Sequence, residues 1–136
     1  MEEVANGGLN GPWDWWKAVE EGKVAVVIAF IKAGRDLDSQ DCDGGTALYN
    51  AAYYGHVDIV KALVQAGASV DVAEEDGDTP LHISSWEGHL EVCKCLIDDG
   101  KASISRANDC GDTPLAYATT KRRKAIIAYL KFKGAK

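Results

Sequence analysis

One phrase recurs along this chain at a fixed interval, and that interval limits what the chain can fold into. Thr79-Pro80-Leu81-His82 opens a short apolar run that Gly88-His89 closes. Thr46-Ala47-Leu48-Tyr49 opens the same run one interval earlier and Gly55-His56 closes it, while Thr113-Pro114-Leu115 opens it again one interval after Thr79. The physical content of the phrase is a helix with defined ends. A threonine hydroxyl caps the first amides, proline takes the first helical position where no donor is needed, and glycine supplies the left-handed stop. A second series, Gly34, Gly67, Gly100 and Gly134, marks the other end of each unit at intervals of 33, 33 and 34.

Between the two glycine series lies a second helix. Its apolar residues fall one turn apart: Val26, Val27, Phe30, Ile31; then Ile59, Val60, Leu63, Val64; then Val92, Cys93, Leu96, Ile97; and last Ile126, Ile127, Leu130. That spacing makes one buried face per helix. A single pair of helices cannot hide such a face, so the units must stack, and the fold is an all-α solenoid. The joining segments, Asp38 to Asp43, Asp71 to Asp76 and Ser105 to Cys110, are short and polar.

These residues resemble the ankyrin repeat. The match runs along nearly all of units 41–73 and 74–107, a shortened last unit 108–136 and a divergent first unit 13–40. The organisation is similar to that of the small single-domain, myotrophin-like members of the family. The resemblance implies that the joining segments form hairpin-like fingers on one edge. It also implies that these fingers and the outward side of each first helix make a concave groove for partner proteins. Carried over unit by unit, the groove contains Glu20 and Glu21; Cys42, Asp43, Gly45, Tyr53 and Tyr54; Glu75, Asp76, Asp78, Trp86 and Glu87; and Asp109, Cys110, Asp112, Thr120 and Lys121. The residues expected to bind are Asp43, Tyr53, Tyr54, Glu75, Asp76, Asp78, Trp86, Glu87, Asp109 and Asp112. They form a row of carboxylates around an aromatic centre of Tyr53, Tyr54 and Trp86. Rigid aromatics dominate interface hot spots, and the carboxylates would steer a basic partner. Asp41 and Asp71 are expected instead to close their turns locally.

A partner protein presenting a basic surface or peptide is therefore expected, bound by a non-catalytic adaptor or inhibitor. One alternative is a methyl-lysine or other cation reader built from Tyr53, Tyr54 and Trp86. A second is phosphate or nucleic-acid contact through the C-terminal segment. Charge is uneven. Residues 121–136 hold seven Lys or Arg and no acid, whereas residues 1–120 hold 8 basic and 21 acidic groups, for a net charge of −6. The favoured reading of the basic segment is a solvated cap at the end of the last helix dipole, so nucleic acid is not the expected partner.

No Gly-rich phosphate loop, metal-spaced His/Cys cluster or nucleophile with an adjacent base is present, so no enzyme, cofactor or metal is expected. Cys42 and Cys110 stand two units apart, too far for a disulfide, and Cys93 and Cys95 point to different faces of one helix. His56, His82 and His89 read as fold-stabilising positions. Residues 1–12 are expected to be a mobile leader. With no apolar run of membrane-spanning length and an acidic start, a cytoplasmic or nuclear protein is expected. Trp13 aligns with the capping threonine, Trp15 with the core leucine and Trp16 with the histidine. Trp15 reads as core, while Trp13 and Trp16 read as a lid on a monomer or as a self-association surface. In the last unit Arg122 stands where glycine turns the other units, so a tighter or distorted corner is expected over residues 119–124, and the extra residue of the third unit is expected to bulge in the loop near Gly100.

Overall fold

The computed structural model describes residues 14–136; the expected leader and Trp13 lie outside them. Within them the helices run in pairs. They are α1 (Trp15–Glu20) and α2 (Val24–Lys32), α3 (Ala47–Tyr54) and α4 (Val57–Gln65), α5 (Pro80–Glu87) and α6 (Leu90–Lys94), and α7 (Pro114–Thr120) and α8 (Lys124–Phe132). First helices pack on first helices and second on second, each pair also packing internally, and no strand occurs among the described residues. This is the expected all-α solenoid.

The caps behave as the phrase predicts. The hydroxyls of Thr46, Thr79 and Thr113 accept the amides of Tyr49, His82 and Ala116, and Gly55 and Gly88 end α3 and α5 at φ 76° and 86°. In the first unit the helix starts one residue late: Asp14, not the position of Trp13, is the cap, accepting from Lys17 N at 2.7 Å. The core is one strip through the stack: Trp15, Val27, Leu48, Ile59, Leu63, Leu81, Val92, Leu96, Ile126 and Leu130 are each at most 2% exposed. Trp15 belongs to it, edge-on to Phe30 at 5.6 Å with the Arg35 guanidinium 5.2 Å over its ring. Trp16 is half-buried against the same core.

Successive units are joined by repeated polar contacts. His56 Nε2 donates to the carbonyl of Glu20 (2.8 Å) and His89 Nε2 to that of Tyr53 (3.1 Å). In the last unit the histidine is replaced by Arg123, whose Nε donates to the carbonyl of Trp86 at 3.1 Å. These side chains explain the glycines further. A β-carbon on Gly55 would lie 2.7 Å from the His89 ring, and one on Gly88 2.9 Å from the Arg123 guanidinium. The glycine provides both the left-handed turn and the space into which the next unit reaches.

Three expectations are corrected. The extra residue of the third unit is not a loop bulge. It is absorbed in a π-helical turn, Cys95–Asp99, that continues α6, where Gly100 N donates back to Cys95 O at 3.0 Å. The insertion moves the left-handed stop from Gly100, at φ −90°, to Lys101, at φ 59°. At Arg122 the corner is not redesigned: Arg122 adopts φ 60°, the conformation of the glycines it replaces. Asp71, finally, does not close its own turn. Its carboxylate accepts the Ser103 amide at 3.0 Å and hydroxyl at 2.9 Å in the next unit, as Asp38 does with Ser69.

Candidate functional site

Each finger is built around one side-chain hook. Asp41 Oδ1 accepts the amides of Asp43 and Gly45, Glu74 Oε1 those of Asp76 and Asp78, and Asn108 Oδ1 those of Cys110 and Asp112, all at 2.8–3.0 Å. The fingers then join edge to edge: Glu75 N donates to Asp43 O at 3.0 Å and Asp109 N to Asp76 O at 3.1 Å. With backbone groups bound inside the row, Asp43, Glu75, Asp76 and Asp109 point their side chains to solvent, and all four are exposed. Asp112 is half-buried and its carbonyl accepts His82 Nε2 at 2.9 Å, so its backbone is structural.

Asp78 departs from the expected role. It is only 9% exposed and faces inward. Both its oxygens accept the Tyr117 hydroxyl, at 2.9 and 3.0 Å, and Oδ1 also accepts Asn108 Nδ2 at 2.8 Å. A carboxylate removed from water needs such donors, and these leave little of it for a partner. Asp78 ties the third unit to the fourth. Burial first, then the hydrogen bond and charge of Asp78, push the Tyr117 hydroxyl far above its ordinary pKa.

Between the first two fingers and α3 lies a cleft of about 340 Å³ lined by Asp41, Asp43, Gly45, Tyr49, Asn50, Glu74 and Glu75. Tyr49 contributes its phenol there. Burial, followed by the nearby Glu74, Asp78 and Asp76, holds its proton on well beyond the usual range. The cleft lining carries four carboxylates and no Lys or Arg. A larger cleft, about 630 Å³, lies between α4 and the π turn. There Lys61 and Lys101 accompany Asp98 and Asp99, and Asp98 already pairs with Lys133 at 2.9 Å. Its charges compensate one another, so it offers no preference for either sign.

The aromatic centre divides in two. Tyr53 and Tyr54, 41% and 43% exposed, meet edge to face at 4.8 Å. Tyr54 also stacks on His56 at 5.8 Å and donates to Glu20 Oε2 at 3.3 Å. Trp86 instead meets Tyr117 of the following unit at 4.9 Å and 64°. The reason is the period: Tyr53 and Trp86 occupy one position on neighbouring helices, whose axes lie about 10 Å apart, while the end of each first helix abuts the next unit. Glu87 is half-buried beside Trp86. Tyr117, Tyr49 and the hooks Glu74 and Asn108 were not singled out from the sequence. The hooks could have been: Asp41, Glu74 and Asn108 recur at the repeat interval, with a hydrogen-bonding side chain each time.

The C-terminal cations are partly occupied within the fold. Lys121 Nζ lies 5.0 Å over the Trp86 ring, Arg123 holds the Trp86 carbonyl, and Lys133 pairs with Asp98. The four cysteines are free thiols; Cys93 and Cys95 are both buried, and burial first, then the neighbouring Asp99, raises the Cys95 thiol to a pKa of about 11. Among the described residues no helix is long and apolar enough to cross a membrane.

Comparison with known proteins agrees with this architecture. A model of ankyrin repeats (three copies) matches residues 15–108 and again 73–136. A search of curated proteins finds no match. With the repeat period, the paired helices, the fingers and the family model in accord over nearly the whole chain, the protein belongs to the ankyrin repeat family, whose repeats are generally protein–protein interaction modules.

Proposed function

We propose that the protein is a non-catalytic adaptor or inhibitor that docks a basic segment of a partner protein across its fingers and the solvent faces of α3 and α5. The observation that carries this reading is the finger row. Asp43, Glu75, Asp76 and Asp109 are exposed carboxylates held in register by the finger backbone, and no Lys or Arg lines the cleft beside them. Such a surface has several uncompensated negative charges at fixed spacing, which favours encounter with Lys or Arg and sets the register of a bound chain. The Tyr53–Tyr54 pair provides a rigid apolar face next to the acids.

The test is binding of a fluorescein-labelled hexa-arginine peptide, followed by polarisation at low and high salt. The wild type should bind it with an affinity that falls as salt rises. The Asp43→Lys/Glu75→Lys/Asp76→Lys variant should lose binding, and Tyr53→Ala/Tyr54→Ala should weaken it. Undiminished binding by the charge-reversed variant would overturn the reading.

A further inference from the structure

We propose that the open face of Trp86 is a subsite for an arginine side chain of the docked segment, and that Lys121 fills it in the free protein. This deepens the proposed function and rests on it. Trp86 is held through both its ring and its backbone. The Trp86 and Tyr117 rings meet edge to face, the Tyr117 hydroxyl is anchored on Asp78 and Asn108, and the Trp86 main-chain carbonyl is held by Arg123. The remaining contact is of another kind. Lys121 stands at the end of α7 with its amide bound to Tyr117 O at 3.1 Å, and its ammonium lies 5.0 Å from the centroid of the ring.

A cation over an indole is attracted by the negative ring face. Lysine is the weaker occupant of such a site. Its ammonium is compact and strongly hydrated on a flexible stem, while a guanidinium is planar, less hydrated and stacks on the ring. Lys121 is itself exposed, so it can leave for water without breaking a buried contact. Its departure leaves the ring's contact with Tyr117 and the Arg123 bond to the Trp86 main-chain carbonyl in place. A partner arginine would thus meet a preformed platform and displace a side chain of the protein. In the free state Lys121 masks the aromatic face and opposes cations that approach it, so binding favours a ligand able to replace it.

The experiment uses the same hexa-arginine peptide. Lys121→Gln should tighten binding about two- to fivefold beyond the change produced by Lys124→Gln, the factor expected for a lost cation–ring competitor at an exposed site. Lys124 is an exposed lysine nearby and reports the general effect of removing one positive charge. The excess should vanish in a Trp86→Leu background. The indole N–H resonance of Trp86 reads the same site without altering the ring, and it should shift on peptide addition in both wild type and Lys121→Gln. Equal gains from Lys121→Gln and Lys124→Gln, with binding still lost on charge reversal of the fingers, would overturn the subsite and leave the docking surface standing. An unmoved Trp86 resonance in a protein that binds the peptide would do the same. If neither wild type nor Lys121→Gln binds the peptide, both the subsite and the basic-partner reading fail.

Discussion

Gly55→Ala and Gly67→Ala provide a sharp test of how the units are joined. Both glycines are left-handed, at φ 76° and 92°, so in both an alanine takes on a conformation costing roughly 1–2 kcal/mol, offset in part by a less flexible unfolded chain. Around Gly67 nothing lies within 4 Å of the added carbon. Its substitution should therefore cost about 1 kcal/mol. Around Gly55 the added carbon would lie 2.7 Å from Cε1 and Nδ1 of His89, against a comfortable separation of about 3.5–4.0 Å. The ring must retreat by about 1 Å, and its 3.1 Å hydrogen bond to the Tyr53 carbonyl cannot survive that movement, adding about 0.5–1.5 kcal/mol before any packing strain. The expected total at Gly55 is at least about 1.5–2.5 kcal/mol. In urea unfolding followed by circular dichroism, this gap of about 0.5–1.5 kcal/mol separates the midpoints of the two variants by roughly 0.25–0.75 M, taking an m-value of about 2 kcal/mol/M. Removing the ring closes the argument: in a His89→Ala background Gly55→Ala should cost no more than Gly67→Ala. Equal costs for the two glycines in the wild-type background, or a gap that persists without the His89 ring, would refute the account.

Two further outcomes are expected. Arg122→Gly should stabilise the protein by about 0.5–1 kcal/mol, because it relieves a left-handed non-glycine residue that makes its corner at φ 60°; a lower urea midpoint for the variant would contradict this. His82 should make stability depend on pH. Its Nδ1 accepts from the Thr79 amide and its Nε2 donates to Asp112 O, an arrangement for the neutral ring, and burial lowers its pKa from the ordinary 6.5. The unfolded chain then binds the proton more readily, so this contribution is complete above pH 6.5 and is lost as pH falls below it, by at most about 1.4 kcal/mol per pH unit. Urea midpoints at pH 7.5 and 5.5 should separate more for wild type than for His82→Gln, and identical separations would show that the ring does not titrate with folding.

The helices, their caps and the stacking follow from the order of the residues alone. Those features depend on neighbours within one turn or on a period, and both are legible in a string of residues: Thr79 before Pro80, Gly55 after Tyr54, one apolar face repeated along the chain. The resemblance to ankyrin repeats also placed Asp43, Glu75, Asp76 and Asp109 on the fingers, each of which closes on itself through Asp41, Glu74 or Asn108. How one unit meets the next depends instead on packing in three dimensions. Asp78 and Asp76 differ by two positions in the same finger, yet one is sealed against Tyr117 and the other faces water. Asp71 reaches Ser103, and Trp86 turns to Tyr117 and Lys121, leaving the two tyrosines to pair with each other. The extra residue of the third unit settled in a helix because a wider turn there keeps the backbone hydrogen-bonded and leaves the core in register. Each of these outcomes rests on offsets of a few ångströms between parallel helices. The repeat period establishes that two side chains occupy neighbouring units; the packing of the helices determines whether they touch.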